Sequence, residues 1–316
     1  TVRRVSRVSE AVDVLVVGPG AMGCLHAALL AESGIRIGLL DHDAERARRI
    51  SERGITLESV GSEHTVPVRC SADAAEFAPA RLALLLVKAY DTEEAVQRAL
   101  PALGDDGGVL TLQNGLGNYE RITAIMPEVR VLAGTTTAGA TLLGEGRVRE
   151  AGRGFVHLGS PSGNFRRARE AIGFLRGAGI EAELAQSVAD VLWAKAIVNA
   201  AINPLTALTG LPNGRLVESE GLRALLDAVV EEAAHIGRMS GAFVQEGVVN
   251  AVEAICRETG QNRSSMLQDL TAGRRTEIDF INGEIVRRAQ AKGLEAPRCA
   301  MLTALVKGRE EAARLE

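Results

Sequence analysis

The sequence predicts an α/β fold in two parts: a doubly wound parallel sheet over residues 1–186, then an all-α part over residues 187–316. Three observations carry this. Short β-branched apolar runs alternate with helical stretches as far as about residue 186. A glycine-rich turn joins the first run to the first helix. Beyond Gln186 only helical patterns remain.

The first strand is Val12 to Val17, VDVLVV, the pattern of a buried parallel strand. It runs into Gly18-Pro19-Gly20-Ala21-Met22-Gly23, and a helix follows to Gly34. In G-x-G-x-x-G one glycine makes the tight turn, one lets backbone approach a pyrophosphate, and one lets helix and strand pack closely. The helix N-terminus adds N–H groups and the positive dipole end. Between a strand and a helix this signature points to a Rossmann-type domain that binds a dinucleotide. The bland alternative is a glycine-rich turn with no ligand. A second strand, Ile35 to Leu40, ends at Asp41. An acid about 20 residues past the glycines bonds the ribose 2′-hydroxyl of NAD and repels a 2′-phosphate. Asp41 therefore leans the reading to NADH over NADPH. Its alternative is an N-cap for a helix from Ala44. Arg46, Arg48 and Arg49 pull toward NADPH, or simply form a solvated face.

Ile55 to Val68 alternates weakly and reads as a hairpin or an excursion, Leu82 to Val87 as a buried strand, Thr92 to Leu103 as a helix and Gly108 to Leu112 as a strand. Lys88 and Asn114 fall at strand ends, where open α/β sheets place ligands. An exposed strand terminus and a plain Asn-Gly turn are their bland readings. Val129 to Ala133 is a further strand and Val148 to Leu158 antiparallel strand material, punctuated by Gly152 and Gly154. Arg166 to Gly179 is a helix and Ile180 to Leu184 a last strand.

Bulk properties exclude several classes. The chain has 316 residues, 46% apolar and 24% charged, as expected for an ordinary soluble protein. A net charge of −4 gives no basic footprint for nucleic acid. The four cysteines, Cys24, Cys70, Cys256 and Cys299, are scattered, without metal-type or disulfide-framework spacing. No apolar run approaches the ~18 residues of a membrane span, and TVRRVSRVSEAV is too polar for a signal peptide. The expectation is a cytoplasmic enzyme without metal or membrane, acting on a small molecule. The helical part offers apolar faces that would suit a homodimer or simply form the core.

The second half centres on Leu192 to Pro204, LWAKAIVNAAINP, read as a helix ending where Pro204 cannot donate a backbone bond. Lys195, Asn199 and Asn203 stand four residues apart and so share one face. An amine can give a proton and carboxamides can hold oxygen atoms. Asn213 lies in a Pro-Asn-Gly loop, Ser265 at a helix start, and Glu277 near the start of a helix over Thr276 to Ala291. Glutamates at such positions are mostly solvated or stabilise the helix dipole. Further helices are expected over Glu220 to Gly237, Val244 to Thr259 and Met301 to Arg314. The five histidines form no set, and no serine-centred catalytic grouping is present.

LWAKAIVNAAINPLTA, the PNG loop and SSMLQD…RRTEIDFINGEI, with GPGAMG, VKAYDT, QNGLG and GTTT, resemble the ketopantoate reductase (2-dehydropantoate 2-reductase) family over nearly the whole chain. The resemblance implies an active cleft between a Rossmann domain and a helical domain. It implies reduction of 2-dehydropantoate to (R)-pantoate with a nicotinamide cofactor, on the route to pantothenate and coenzyme A. It implies Lys195 as catalytic lysine, Asn199, Asn203, Asn213 and Ser265 as substrate residues, and Glu277 as the cleft glutamate. Cofactor contacts would fall on Gly18 to Gly23, Lys88, Asn114, Ala140 and Glu277. NADPH-using members resemble each other in an arginine near the end of the second strand; here that neighbourhood is Leu40-Asp41-His42-Asp43. Two rival readings are a sister D-2-hydroxyacid dehydrogenase for another branched or aromatic 2-keto acid, and a non-catalytic NAD(P)-sensing protein.

Overall fold

The structure is a computed structural model that describes residues 10–314. The polar N-terminal stretch read as unlike a signal peptide lies, over residues 1–9, outside the described residues. The chain divides into two compact units. One holds residues up to Gln113 together with Asn118–Val188; the other holds Asn114–Gly117 together with residues from Ala189 onward.

In the first unit β1 (Val12–Val17) leads into α1 (Ala21–Glu32), then β2 (Ile37–Leu40) and α2 (Ala44–Arg53). A hairpin of β3 (Ile55–Ser59) and β4 (Ser62–Val66) follows, then β5 (Cys70–Ser71), β6 (Ala80–Leu85) and α3 (Thr92–Leu103). The unit is completed by β7 (Gly108–Thr111), α4 (Asn118–Thr123), β8 (Val131–Thr136), β9 (Gly139–Gly144), β10 (Arg147–Gly152), β11 (Phe155–Gly159), α5 (Phe165–Gly177) and β12 (Glu181–Leu184).

Eight strands form one sheet in the order β12-β11-β8-β7-β6-β1-β2-β5. The run from β8 to β5 is parallel throughout, and β11 joins β8 antiparallel. The sheet is covered on both faces, as its apolar strands demand. Val14 and Val16 of β1 join a core with α1 and α5, while Leu15 and Val17 join a core with α3. Strand order reverses at β1, between β2 and β6, so the ends of these strands form a switch point of the kind that binds dinucleotides.

A smaller four-stranded sheet, β4-β3-β10-β9, was not foreseen. The stretch read as strand material over Val148 to Leu158 splits between the sheets. β10 pairs with β3 and β9, whereas β11 pairs with β8 and β12. Gly152 (φ +155°) and Gly154 (φ +61°) turn the chain from one sheet to the other. Local periodicity carries no information about which sheet a strand joins.

The second unit contains α6 (Val188–Thr209), α7 (Arg215–Glu218), α8 (Glu220–Met239), α9 (Val248–Glu258), α10 (Ser265–Thr271), α11 (Asn282–Gln290) and α12 (Pro297–Ala312). Its core gathers Trp193, Ile197, Ala200 and Ile202 of α6 with Val229 and Ile236 of α8, Ile285 of α11 and Leu302 of α12. Leu116, from the inserted segment, belongs to the same core.

Two expectations are corrected here. First, α6 does not stop at Pro204 but runs through it to Thr209. Second, the helix expected over Thr276 to Ala291 is broken. A 3₁₀ turn spans Ile278–Phe280, Ile281 leaves helical geometry (φ −102°, ψ −89°), and α11 starts only at Asn282. The physical reason is a competing donor: Leu116 N–H bonds the Phe280 carbonyl at 2.9 Å, taking the acceptor a continuous helix would use. Among the described residues α6 is long and apolar enough, by length and composition, to cross a membrane. Of its most apolar window, 61% is buried, and it is a central helix of this unit's core.

Candidate active site

In the first unit β1 delivers the chain to Gly18, whose φ of +98° excludes ordinary L residues. A Cβ there would meet Val87 Cγ1 at 2.5 Å, and one at Gly23 would meet Gly18 O at 1.8 Å. These two glycines make the turn and the close strand–helix approach. A Cβ at Gly20 would meet no atom within 4 Å. Gly20 is exposed, and it caps α1 without a side chain, so the first N–H groups of the helix are open to an anion. Pro19, Ala21 and Met22 are partly exposed around it. This turn fits the pyrophosphate of a dinucleotide.

A groove at the strand ends beside this turn is bordered by Gly18, Asp41, His42, Asp91, Glu94 and Arg98. Asp41 ends β2 as expected, but its carboxylate is held rather than free. Arg46 donates Nε to Oδ2 at 2.6 Å and Nη2 to Oδ1 at 2.5 Å, and the Asp41 side chain is fully buried. Asp43 N–H adds a bond to Oδ1 at 3.2 Å. The cap of α2 is Asp43, which accepts from Glu45 N and Arg46 N. Arg98 reaches the backbone carbonyls of Asp41 and His42.

Lys88 follows β6 and is partly exposed. Its turn is fixed by Gln113, a residue the sequence reading passed over. Gln113 Nε2 donates to the Val87 carbonyl at 3.0 Å and to Thr92 Oγ1 at 2.9 Å, while its Oε1 accepts from Thr111. Its position at a strand end was the available signal. Ala140 stands on β9 in the smaller sheet, half-buried against the core that includes α1.

In the second unit Lys195 and Asn199 are partly exposed on α6 and Asn203 is buried, while Ala196, Ile197, Ala200 and Ala201 between them are core. Burial pushes the Lys195 ammonium down to about 8, and the Glu277 carboxylate opposes that fall. Glu277 is itself buried at 5% exposure. It precedes the 3₁₀ turn instead of opening a long helix, and it accepts Asn114 Nδ2 at 3.4 Å. Gly115 (φ +85°) lets the inserted segment approach, since a Cβ there would meet Phe280 O at 2.4 Å. The fold therefore brings Lys195, Glu277 and Asn114 together, although Asn114 is 81 residues before Lys195 in the chain.

Two further expected site residues lie on this unit, Ser265 at the start of α10 and Asn213 in its loop. Ser265 is exposed, and its neighbour Ser264 caps α10, accepting Leu267 N–H at 3.1 Å and bonding Thr206 Oγ1 at 2.7 Å. Asn213 is buried and ties its loop to a neighbouring turn. Its N–H donates to Asn262 O at 3.0 Å and its Nδ2 to Thr259 Oγ1 at 2.9 Å. Its Oδ1 is buried with no partner among the described residues.

A glycine turn at a parallel-sheet switch point and, on the helical unit, a buried glutamate beside a lysine and an asparagine define the class: a nicotinamide-dinucleotide oxidoreductase. Known proteins narrow it. Two family models match, "Ketopantoate reductase PanE/ApbA" over residues 14–163 and "Ketopantoate reductase PanE/ApbA C terminal" over residues 187–310. The chain is 36% identical to the 2-dehydropantoate 2-reductase of Halobacterium salinarum, over 93% of this chain and 97% of that one. It is 34% identical to that of Archaeoglobus fulgidus, over 94% and 97%. A crystal structure of a PanE/ApbA family ketopantoate reductase from Ralstonia eutropha superposes with a TM-score of 0.87 at 34% identity, covering 95% of this chain and 99% of that one. A ternary structure of D-mandelate dehydrogenase with NADH and anilino(oxo)acetate gives 0.87 at 28% identity, with the same coverage. The chain belongs to the ketopantoate reductase family.

Proposed function

We propose that this protein reduces 2-dehydropantoate to (R)-pantoate, with Lys195 as proton donor. The observation that carries the reading is the buried amine of Lys195, lowered to about 8 and answered by Glu277. A dinucleotide at Gly18 to Gly23 supplies the hydride when bound. As the ketone carbon gains hydride, negative charge grows on its oxygen. Lys195 stabilises that charge and transfers one proton to it, completing the alcohol; the neutral amine then recovers a proton from water. A donor with a pKa near the working pH is better matched to this transfer than a free lysine at ~10.4. Asn199 and Asn203 hold the polar ends of the keto acid, and Glu277 with Asn114 orients the amine. Asn213 and Ser265 complete the substrate set in this reading.

The finer cofactor reading is NADH. Asp41 holds the Arg46 guanidinium that would otherwise be free to meet a 2′-phosphate, and Asp91 and Glu94 border the same groove. Asp41→Ala is expected to raise the NADPH/NADH ratio of kcat/KM by about tenfold or more, about 1.4 kcal/mol. An unchanged ratio assigns Asp41 to holding Arg46 alone.

Initial rates with ketopantoate and each reduced cofactor test the whole proposal. Lys195→Met is expected to lower kcat at least about 10²-fold while reduced cofactor still quenches or shifts fluorescence on binding. Near-wild-type turnover in that variant removes Lys195 from the role. The similarity to D-mandelate dehydrogenase supports a second reading, a D-2-hydroxyacid dehydrogenase for another 2-keto acid. Higher kcat/KM with ketoisovalerate or benzoylformate than with ketopantoate would select it.

A further inference from the structure

Helix α6 carries Lys195, Asn199 and Asn203, and it contains a proline at position 204. Proline has no N–H, so the carbonyl four residues earlier, that of Ala200, loses its intrahelical donor. Ala200 is fully buried, so water cannot serve instead. The donor comes from another helix: Asn282, the first residue of α11, gives Nδ2 to Ala200 O at 2.9 Å. Asn282 is itself at 0% exposure, and its Oδ1 has no partner among the described residues. A buried carboxamide with an unmet acceptor is destabilising. That cost is offset at the other end of the same amide, which replaces the proline's missing donor.

The repaired carbonyl sits one residue past Asn199 and three before Asn203. Any drift of α6 at this point moves both carboxamides relative to Lys195. We propose that Asn282 is a positioning residue, holding the proline-interrupted turn of α6 so that Lys195, Asn199 and Asn203 keep one face in register. This rests on the reading of that face as the substrate-reducing one.

The test restores the donor from the other side. In Asn282→Ala, kcat with the keto acid is expected to fall at least about tenfold and its KM to rise, with KM for reduced cofactor unchanged; a misplacement of about 1 Å costs up to about 10²-fold. Pro204→Ala supplies an N–H to Ala200 O from within the helix, so the double variant is expected to regain most of the lost kcat. Asn282→Ala at wild-type kcat and KM, or a double variant no better than Asn282→Ala, overturns the proposal. If Asn282→Ala does not fold, the double variant decides: folded and as active as Pro204→Ala supports it, and unfolded overturns it. A second readout is independent of turnover. The chain has four lysines, so ¹³Cε lysine NMR resolves the titration of Lys195, whose amine burial pushes down to about 8. It should move in Asn282→Ala and return in the double variant. If the wild type reduces no 2-keto acid, the functional reading fails, yet this titration still tests the positioning role.

Discussion

Lys195 and Glu277 act as a pair whose two effects on the amine have opposite signs. Burial disfavours the ammonium, and the carboxylate restores part of its stability. In the proposed role the donor form is the protonated one, so kcat/KM is expected to fall as pH rises through about 8 rather than through the ordinary lysine range. Glu277→Gln removes the opposing carboxylate and leaves the burial, so the limb should shift to lower pH. A limb that stays in place, followed by initial rates from pH 6 to about 10, would show that Glu277 does not act on the amine. Asp41 illustrates the other side of residue-scale reasoning. Its place at the end of β2 was evident from the pattern of the chain, but its bidentate bond to Arg46 was not. The chain written out shows the two residues five apart. It does not show that a strand end and the first turn of α2 point them at each other.

Elements with strong local signals were legible. β1, α1 and α3 were read from the apolar run, the glycine turn and the helical period, and α3 falls on Thr92–Leu103 as expected despite Pro101. Where reading failed, a distant partner had overridden the local preference. Pro204 predicts a stop because a lone helix cannot satisfy Ala200 O; Asn282 satisfies it from 82 residues away. Residues 276–281 have helical spacing, but the Leu116 N–H diverts the Phe280 carbonyl and turns the chain. The smaller sheet was missed for the same reason, since β3 and β10 lie far apart in the chain yet pair in parallel. Of the candidate site, the lysine face was legible because it lies on one helix. The partnership of Asn114 with Glu277, 163 residues apart, was not.

At the scale of the whole molecule the decisive feature is the path of the backbone. The chain builds most of the first unit, gives Asn114–Gly117 to the second, returns, and leaves for good after Val188. Leu116 is 3% exposed within the helical core. Leu116→Ala is expected to destabilise that unit by about 2–5 kcal/mol, read as a lower denaturant midpoint at unchanged slope. A loss under about 0.5 kcal/mol would mean the inserted segment is peripheral to that core. A gene cut at the obvious boundary, after Val188, would therefore yield a C-terminal fragment missing a piece of its own interior and the asparagine that meets Glu277. Swapping that half between relatives, or expressing it alone for screening, requires carrying the four-residue loop along with it.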